Sequence, residues 1–126
     1  MVNTFNNAID AVSFINQNNI DLIFLDIQMP HFSGIDFLNT IEKKPLVIFG
    51  QGVILGKAEK EFKNFIEKSG MPAAWTILGL SALATDHPQN VGMLGMHGTY
   101  EANMAMQECD VLLAVGARFD DRVIGN

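Results

Sequence analysis

Cysteine, basic residues and long apolar runs are all scarce in this chain of 126 residues. There is one cysteine, Cys109. That excludes an internal disulfide framework and a cysteine-based zinc site, and it suits a reducing compartment. Eight Lys and Arg stand against fourteen Asp and Glu, a formal net charge of −6. This balance argues against a nucleic-acid partner and against an anionic membrane surface. The longest apolar runs, such as residues 22–25 and 111–115, fall far short of the roughly 20 residues that cross a bilayer. The opening stretch Met1-Val-Asn-Thr-Phe-Asn-Asn7 has neither the basic nor the apolar region of a secretory signal, so a cytoplasmic location is expected. What the chain does have is an apolar share of 48% against 17% charged. That is ample for a hydrophobic core and unlike a disordered tail, and the length is that of one ordinary domain.

Short apolar runs alternate with amphipathic stretches, the pattern of βα units around a parallel sheet. Residues 2–5 read as a weak strand. Asn6 or Asn7 is placed to cap a helix carrying Ala8, Ala11, Val12 and Ile15 on one face. Residues 16–19 are a polar break, and residues 20–27 read as a strand buried on both faces. Ser33 caps a short helix with Ile35, Leu38 and Ile41 facing inward. Residues 46–49 form the next strand, and Gly50-Gln51-Gly52 turns the chain into a helix over about 55–69. Its expected apolar face is Leu55, Ala58, Phe62, Phe65 and Ile66, with a Glu59–Lys63 pair and Gly70 as the stop. Residues 74–78 are β-prone, and 79–98 read as irregular. Residues 99–109 read as a helix, 111–115 as a final buried strand and 116–126 as a polar tail. The expected fold is α/β, three layers of α/β/α with a mainly parallel sheet of about five strands, in a single chimeric domain.

Two groups of motifs carry resemblances. The run Asp26-Ile-Gln-Met-Pro30, followed by Ser33-Gly34, resembles a response-regulator receiver domain over roughly residues 2–44. From Pro45 onward five ordered motifs resemble the central domain of acetolactate synthase, a thiamine-diphosphate enzyme that also carries FAD. They are Pro45-Leu-Val-Ile-Phe-Gly-Gln-Gly-Val-Ile54, Thr76-Ile-Leu-Gly-Leu80, Asp86-His-Pro88, Gly92-Met-Leu-Gly-Met-His-Gly-Thr99 and Val115-Gly-Ala-Arg-Phe-Asp-Asp-Arg-Val123. Both parents stack helices on a parallel sheet, and the joint near residues 43–45 falls where each leads a helix into a strand. The expectation is a built chimera of two related folds without catalytic activity, an accident of gene modelling being the other origin.

The synthase resemblance implies that thiamine diphosphate sits between two flanking domains outside this sequence, so no cofactor is expected, and weak binding of FAD is the alternative. Its contacts map to Gly50, Gln51 and Gly52, to Thr76, Ile77 and Leu78, and to Leu94, Gly95, Met96 and His97. They continue through Gly116, Ala117, Arg118, Asp120 and Val123. On physical grounds Gly50 and Gly52 suit a strand-to-helix turn where backbone N–H groups approach a phosphate. The spacing misses the dinucleotide fingerprint by one residue. Plainer roles stand beside these: a mere turn for Gly-Gln-Gly, and a backbone-satisfied loop residue for His97. Arg118 with Asp120 and Asp121 can equally be a solvated ion cluster. Met93, Met96, Met104 and Met106 suit soft packing, and Trp75 and Cys109 the core. The synthase likeness sets strand 46–49 between strands 74–78 and 111–115. The receiver strand then takes the outer side of 111–115, with residues 2–5 at the edge. An exposed sheet edge makes pairing between copies the expected form of self-association.

The receiver resemblance makes Asp26 a vestigial phosphoacceptor. A receiver holds a divalent cation with an acidic pair after its first strand, and it carries a Ser or Thr after the fourth strand and a Lys after the fifth. The cation offsets phosphate charge during transfer to a carboxylate. In this sequence the corresponding strands end in Gly50 and in Gly116-Ala117. Incubation with a small phosphodonor and Mg²⁺ is therefore expected to leave Asp26 unmodified in an intact-mass spectrum. A stoichiometric acylphosphate at Asp26 would contradict that.

Overall fold

The computed structural model describes residues 3–19, 34–40, 42–119 and 123. The chain divides into two compact units, Met1–Lys43 and Lys44–Asn126.

In the first unit, helix α1 (Ala8–Gln17) begins at Asn7, whose side chain accepts a hydrogen bond from the Asp10 N–H at 2.9 Å. Ile15 is buried, and the Phe5 and Phe14 rings lie 5.2 Å apart between centroids. Asn18 closes the helix by donating to the Phe14 carbonyl. Helix α2 (Gly34–Thr40) buries Phe37 and ends with the Thr40 hydroxyl donating to the Asp36 carbonyl. Residues 3–5 are not a strand. Polar Asn3 and Thr4 give no continuous apolar strip to pair, so that expectation is corrected. Ser33, Ile41 and the strand read over 20–27 lie outside the described residues, as do the side chains of Ile35 and Leu38. The placement expected for the receiver strand is outside them too.

The second unit is a four-stranded parallel sheet in the order β3-β2-β1-β4. Strand β1 (Pro45–Phe49) is central, next to β2 (Ala73–Trp75) and β4 (Val111–Val115) as expected. β1 and β4 pair over all five residues, from Pro45 opposite Val111 to Phe49 opposite Val115. The ladder is fixed at its start by Lys44 and Asp110. The Asp110 N–H donates to the Lys44 carbonyl at 2.9 Å, and the Lys44 N–H donates to the Asp110 carboxylate at 3.2 Å. Alternation along β1 builds two cores, as a parallel strand covered on both faces requires. Leu46 and Ile48 join Ala74, Leu94 and Ala102 of helix α5 (Tyr100–Glu108). Phe49 packs against Phe62 of helix α4 (Glu59–Ser69), with ring centroids 4.8 Å apart. Thr99 caps α5 by accepting from the Ala102 N–H.

Several expectations are corrected in this unit. The single helix over 55–69 is two helices, α3 (Gln51–Leu55) and α4, with Lys57 between them at φ 52°. The start of α3 is tied to the loop after β4, so its direction is set there. Leu55 is 72% exposed and leaves the core face to Phe62 and Ile66. Lys63 pairs with Glu67 at 2.7 Å and not with Glu59, and the Glu67 carboxylate also lies 3.9 Å from His87. Residues 79–98 contain a strand, β3 (Asn90–Met93), which Asn and Gly disguise. Pairing with β2 makes it a strand, through a register shift at Ala73/Ala74. β2 itself stops at Trp75, and Ile77–Gly79 form a 3₁₀ turn. Finally, β4 is half-buried, with Ala114 exposed, because among the described residues β1 is its single neighbour.

Glu67 gives the fold a pH signature. The hydrogen bond from Lys63 holds its carboxyl below the ordinary value of 4.5 against an opposing desolvation, with smaller help from the Lys63 charge and the neighbouring His87. A carboxyl depressed in the folded state stabilises that state above its unfolded pKa, and the contribution fades as pH falls through the lowered value. Thermal unfolding followed below about pH 4.5 is therefore expected to show a smaller acid-induced fall in Tm for Glu67→Gln than for the parent chain. Identical acid limbs would contradict the assignment.

Candidate functional site

All four strands run parallel, so their carboxyl ends share one rim. The chain passes from β1 to β2 to β3 on one side and returns to place β4 on the other side of β1. The order therefore reverses between β1 and β4, the point at which open α/β sheets form a ligand crevice. The four candidate segments follow the four strands in turn: Gly50–Gly52 after β1, Thr76–Leu78 after β2, Leu94–His97 after β3 and Gly116–Arg118 after β4. The structure thus brings together on one rim what the sequence spread over 69 positions, from 50 to 118.

Backbone contact between the loops after β1 and β4 is close. The Gly50 N–H donates to the Val115 carbonyl at 3.1 Å, and the Gly52 N–H donates to the Gly116 carbonyl at 2.9 Å. A Cβ at Gly52 would lie 2.6 Å from the Gly116 Cα, and Gly116 itself holds φ 58°. Both facts demand glycine. They also revise the reason for it: these two N–H groups are spent on the neighbouring loop and are not free to cradle a phosphate. Gln51, between them, is exposed.

Side chains, not backbone, give the rim its character. Ile77 and Leu78 are 59% and 60% exposed, and Met96 is 69% exposed. Such exposure runs against a purely packing role for Met96. His97 and Arg118 are exposed on the same rim. Thr76 is buried, and its N–H donates to the Phe49 carbonyl at 2.9 Å. Leu94 belongs to the core, against which Ala117 and Val123 also pack. Gly95 is buried at φ 108°. Asp26, Asp120 and Asp121 lie outside the described residues. No group of three His, Cys, Asp or Glu suited to a metal occurs among the described residues.

His87 of the Asp-His-Pro motif is held within its own turn. Its Nδ1 accepts from the Gln89 N–H at 3.4 Å, while Nε2 lies 3.9 Å from the Glu67 carboxylate. Cys109 is half-buried with its thiol donating to the Met106 carbonyl at 3.2 Å, and burial pushes the thiol pKa up. Sequence reasoning missed two features. One is a cleft of about 420 Å³ lined by Trp75, Thr85, Asn90, Val91, Gly92, Thr99 and Glu101, which leaves Trp75 half-buried and not in the core as expected. The other is Asn103, whose amide bonds both backbone groups of Gly95.

Comparison with known proteins matches two families. The thiamine pyrophosphate enzyme central domain matches residues 36–126, and the response regulator receiver domain matches residues 1–68. Among curated proteins, the acetolactate synthase large subunit of Buchnera aphidicola subsp. Schlechtendalia chinensis is 49% identical over 93 residues, 74% of this chain and 16% of the relative. The acetolactate synthase isozyme 2 large subunit of Escherichia coli is 52% identical over 83 residues, 66% of this chain and 15% of the relative. A probable acetolactate synthase large subunit of Methanocaldococcus jannaschii is 44% identical over 84 residues, 67% of this chain and 14% of the relative. The chain thus spans about a sixth of the length of such relatives. These matches correct the expectation that the chain is not an enzyme: relatives about half identical to it are named as an enzyme, acetolactate synthase, with the likeness confined to one part of their length. Among the described residues, no helix is long and apolar enough to cross a membrane.

Proposed function

Because this chain belongs to the thiamine pyrophosphate enzyme central-domain family over residues 36–126, and to the response regulator receiver family over residues 1–68, we propose that its second unit is a flavin-dinucleotide-binding module of the acetolactate synthase type. The observation that carries this reading is the meeting of all four candidate segments on one rim, at the reversal of strand order.

The residues on the rim fit such a ligand in parts. Ile77, Leu78 and Met96 offer the apolar surface on which a flat ring loses water. Arg118 is placed near the crevice between β1 and β4 to meet phosphate. Bound flavin would bring a ring capable of accepting and returning electrons, while this chain's own residues bind and orient it. The described residues supply no three-ligand cluster for a divalent ion. We assign this rim to flavin on the apolar surface that Ile77, Leu78 and Met96 expose.

The two family matches overlap over residues 36–68, and the compact units part at Lys43/Lys44. That overlap supports a chimera in which a receiver segment leads into a synthase segment through one shared βα unit.

Titration of the purified chain with FAD, followed by quenching of flavin fluorescence, is expected to saturate at one flavin per chain. Gly116→Val, which places a branched side chain against the loop after β1, is expected to weaken binding by at least about tenfold. Absence of saturable quenching in the parent chain would overturn the flavin reading.

A further inference from the structure

We propose that Asn103 is a positioning residue for the rim: its amide holds the loop of residues 94–98 in the shape that presents Met96 and His97. The proposal rests on the flavin reading only for the choice of ligand in one arm of its test.

Asn103 sits half-buried on α5, eight residues beyond the glycine it binds. Its Oδ1 accepts from the Gly95 N–H at 3.0 Å, and its Nδ2 donates to the Gly95 carbonyl at 3.0 Å. One side chain thus satisfies both backbone groups of a single buried residue, and the pairing fixes the orientation of the amide. Gly95 stands at φ 108°, a conformation open to glycine and strained for a residue with a side chain. Two backbone bonds close the same loop. The Gly98 N–H donates to the Gly95 carbonyl at 2.8 Å, and the Thr99 N–H donates to the Met93 carbonyl at 2.8 Å. Neither reaches the Gly95 N–H.

Met96 and His97 lie between these closures, exposed, with a buried residue before them and a helix cap after them. Their presentation therefore depends on Gly95 staying where it is. Removing the amide strands a buried N–H, and the loop relieves that cost by turning Gly95 toward water. Such a move carries Met96 away from the ligand surface. Asn is suited to the task because it offers one acceptor and one donor at this reach. Asp keeps the acceptor alone, and Ala keeps neither.

The test is amide hydrogen exchange on the full chain, with FAD titration beside it. In Asn103→Ala, exchange at Gly95 and Met96 is expected to accelerate while the amides of β1 keep their protection. Flavin affinity is expected to fall on the order of tenfold. In Asn103→Asp, the Gly95 amide is expected to stay protected, with affinity between the other two. Unchanged exchange at Gly95 in Asn103→Ala would overturn the proposal, as would acceleration shared equally by the sheet. So would wild-type flavin affinity in that variant. A parent chain that binds no FAD would overturn the flavin reading alone, and the exchange arm would still decide Asn103.

Discussion

The close approach of two backbones, at the loops that follow β1 and β4, is the constraint on which the rim depends. β1 and β4 pair over five residues, from the Lys44–Asp110 exchange of hydrogen bonds at one end to Phe49 opposite Val115 at the other. Pairing then continues past the strands, through Gly50 to Val115 and Gly52 to Gly116. Glycine at 52 and 116 permits this extension, since a Cβ at either position would strike the other loop. Beyond it α3 buries Val53 and exposes Leu55, and Lys57 at φ 52° separates α3 from α4, whose Phe62 covers Phe49.

The same contact changes what the rim offers chemically. A strand-to-helix glycine turn ordinarily presents bare N–H groups to a phosphate. Here two of those groups are already satisfied, and the groups the rim exposes are the side chains of Ile77, Leu78, Met96 and Arg118. The loop after β3 gains importance in turn, because Met96 is the most exposed of these apolar groups and its loop is shaped by Asn103.

Much of the framework was legible in the sequence, for reasons that can be located. Asn7 and Thr99 announce α1 and α5 because capping is read over three residues. β1 and β4 announce themselves as apolar runs, and the α/β class follows from their alternation with helices. β3 was hidden because Asn90-Val-Gly-Met93 carries no β preference of its own, and its strand character comes from β2. The break between α3 and α4 was hidden because helical spacing runs unbroken through Leu55 and Ala58. The choice of Lys63 between Glu59 and Glu67, the fate of the Gly50 and Gly52 N–H groups, and the Asn103 clamp all depend on contacts across the fold. On the site, the positions meeting at the rim came from resemblance to a family, and the reason for their glycines came from the structure.

Equilibrium unfolding of Gly52→Ala tests the central constraint most directly, because two physical effects predict opposite signs. Gly52 is inside α3, where replacement of Gly by Ala ordinarily stabilises a helix by about 0.5–1 kcal/mol. A Cβ at this position would instead lie 2.6 Å from the Gly116 Cα and 2.9 Å from its carbonyl oxygen. The account predicts a clear loss of stability, with a lower denaturation midpoint at unchanged slope. A midpoint equal to or above that of the parent chain would contradict it.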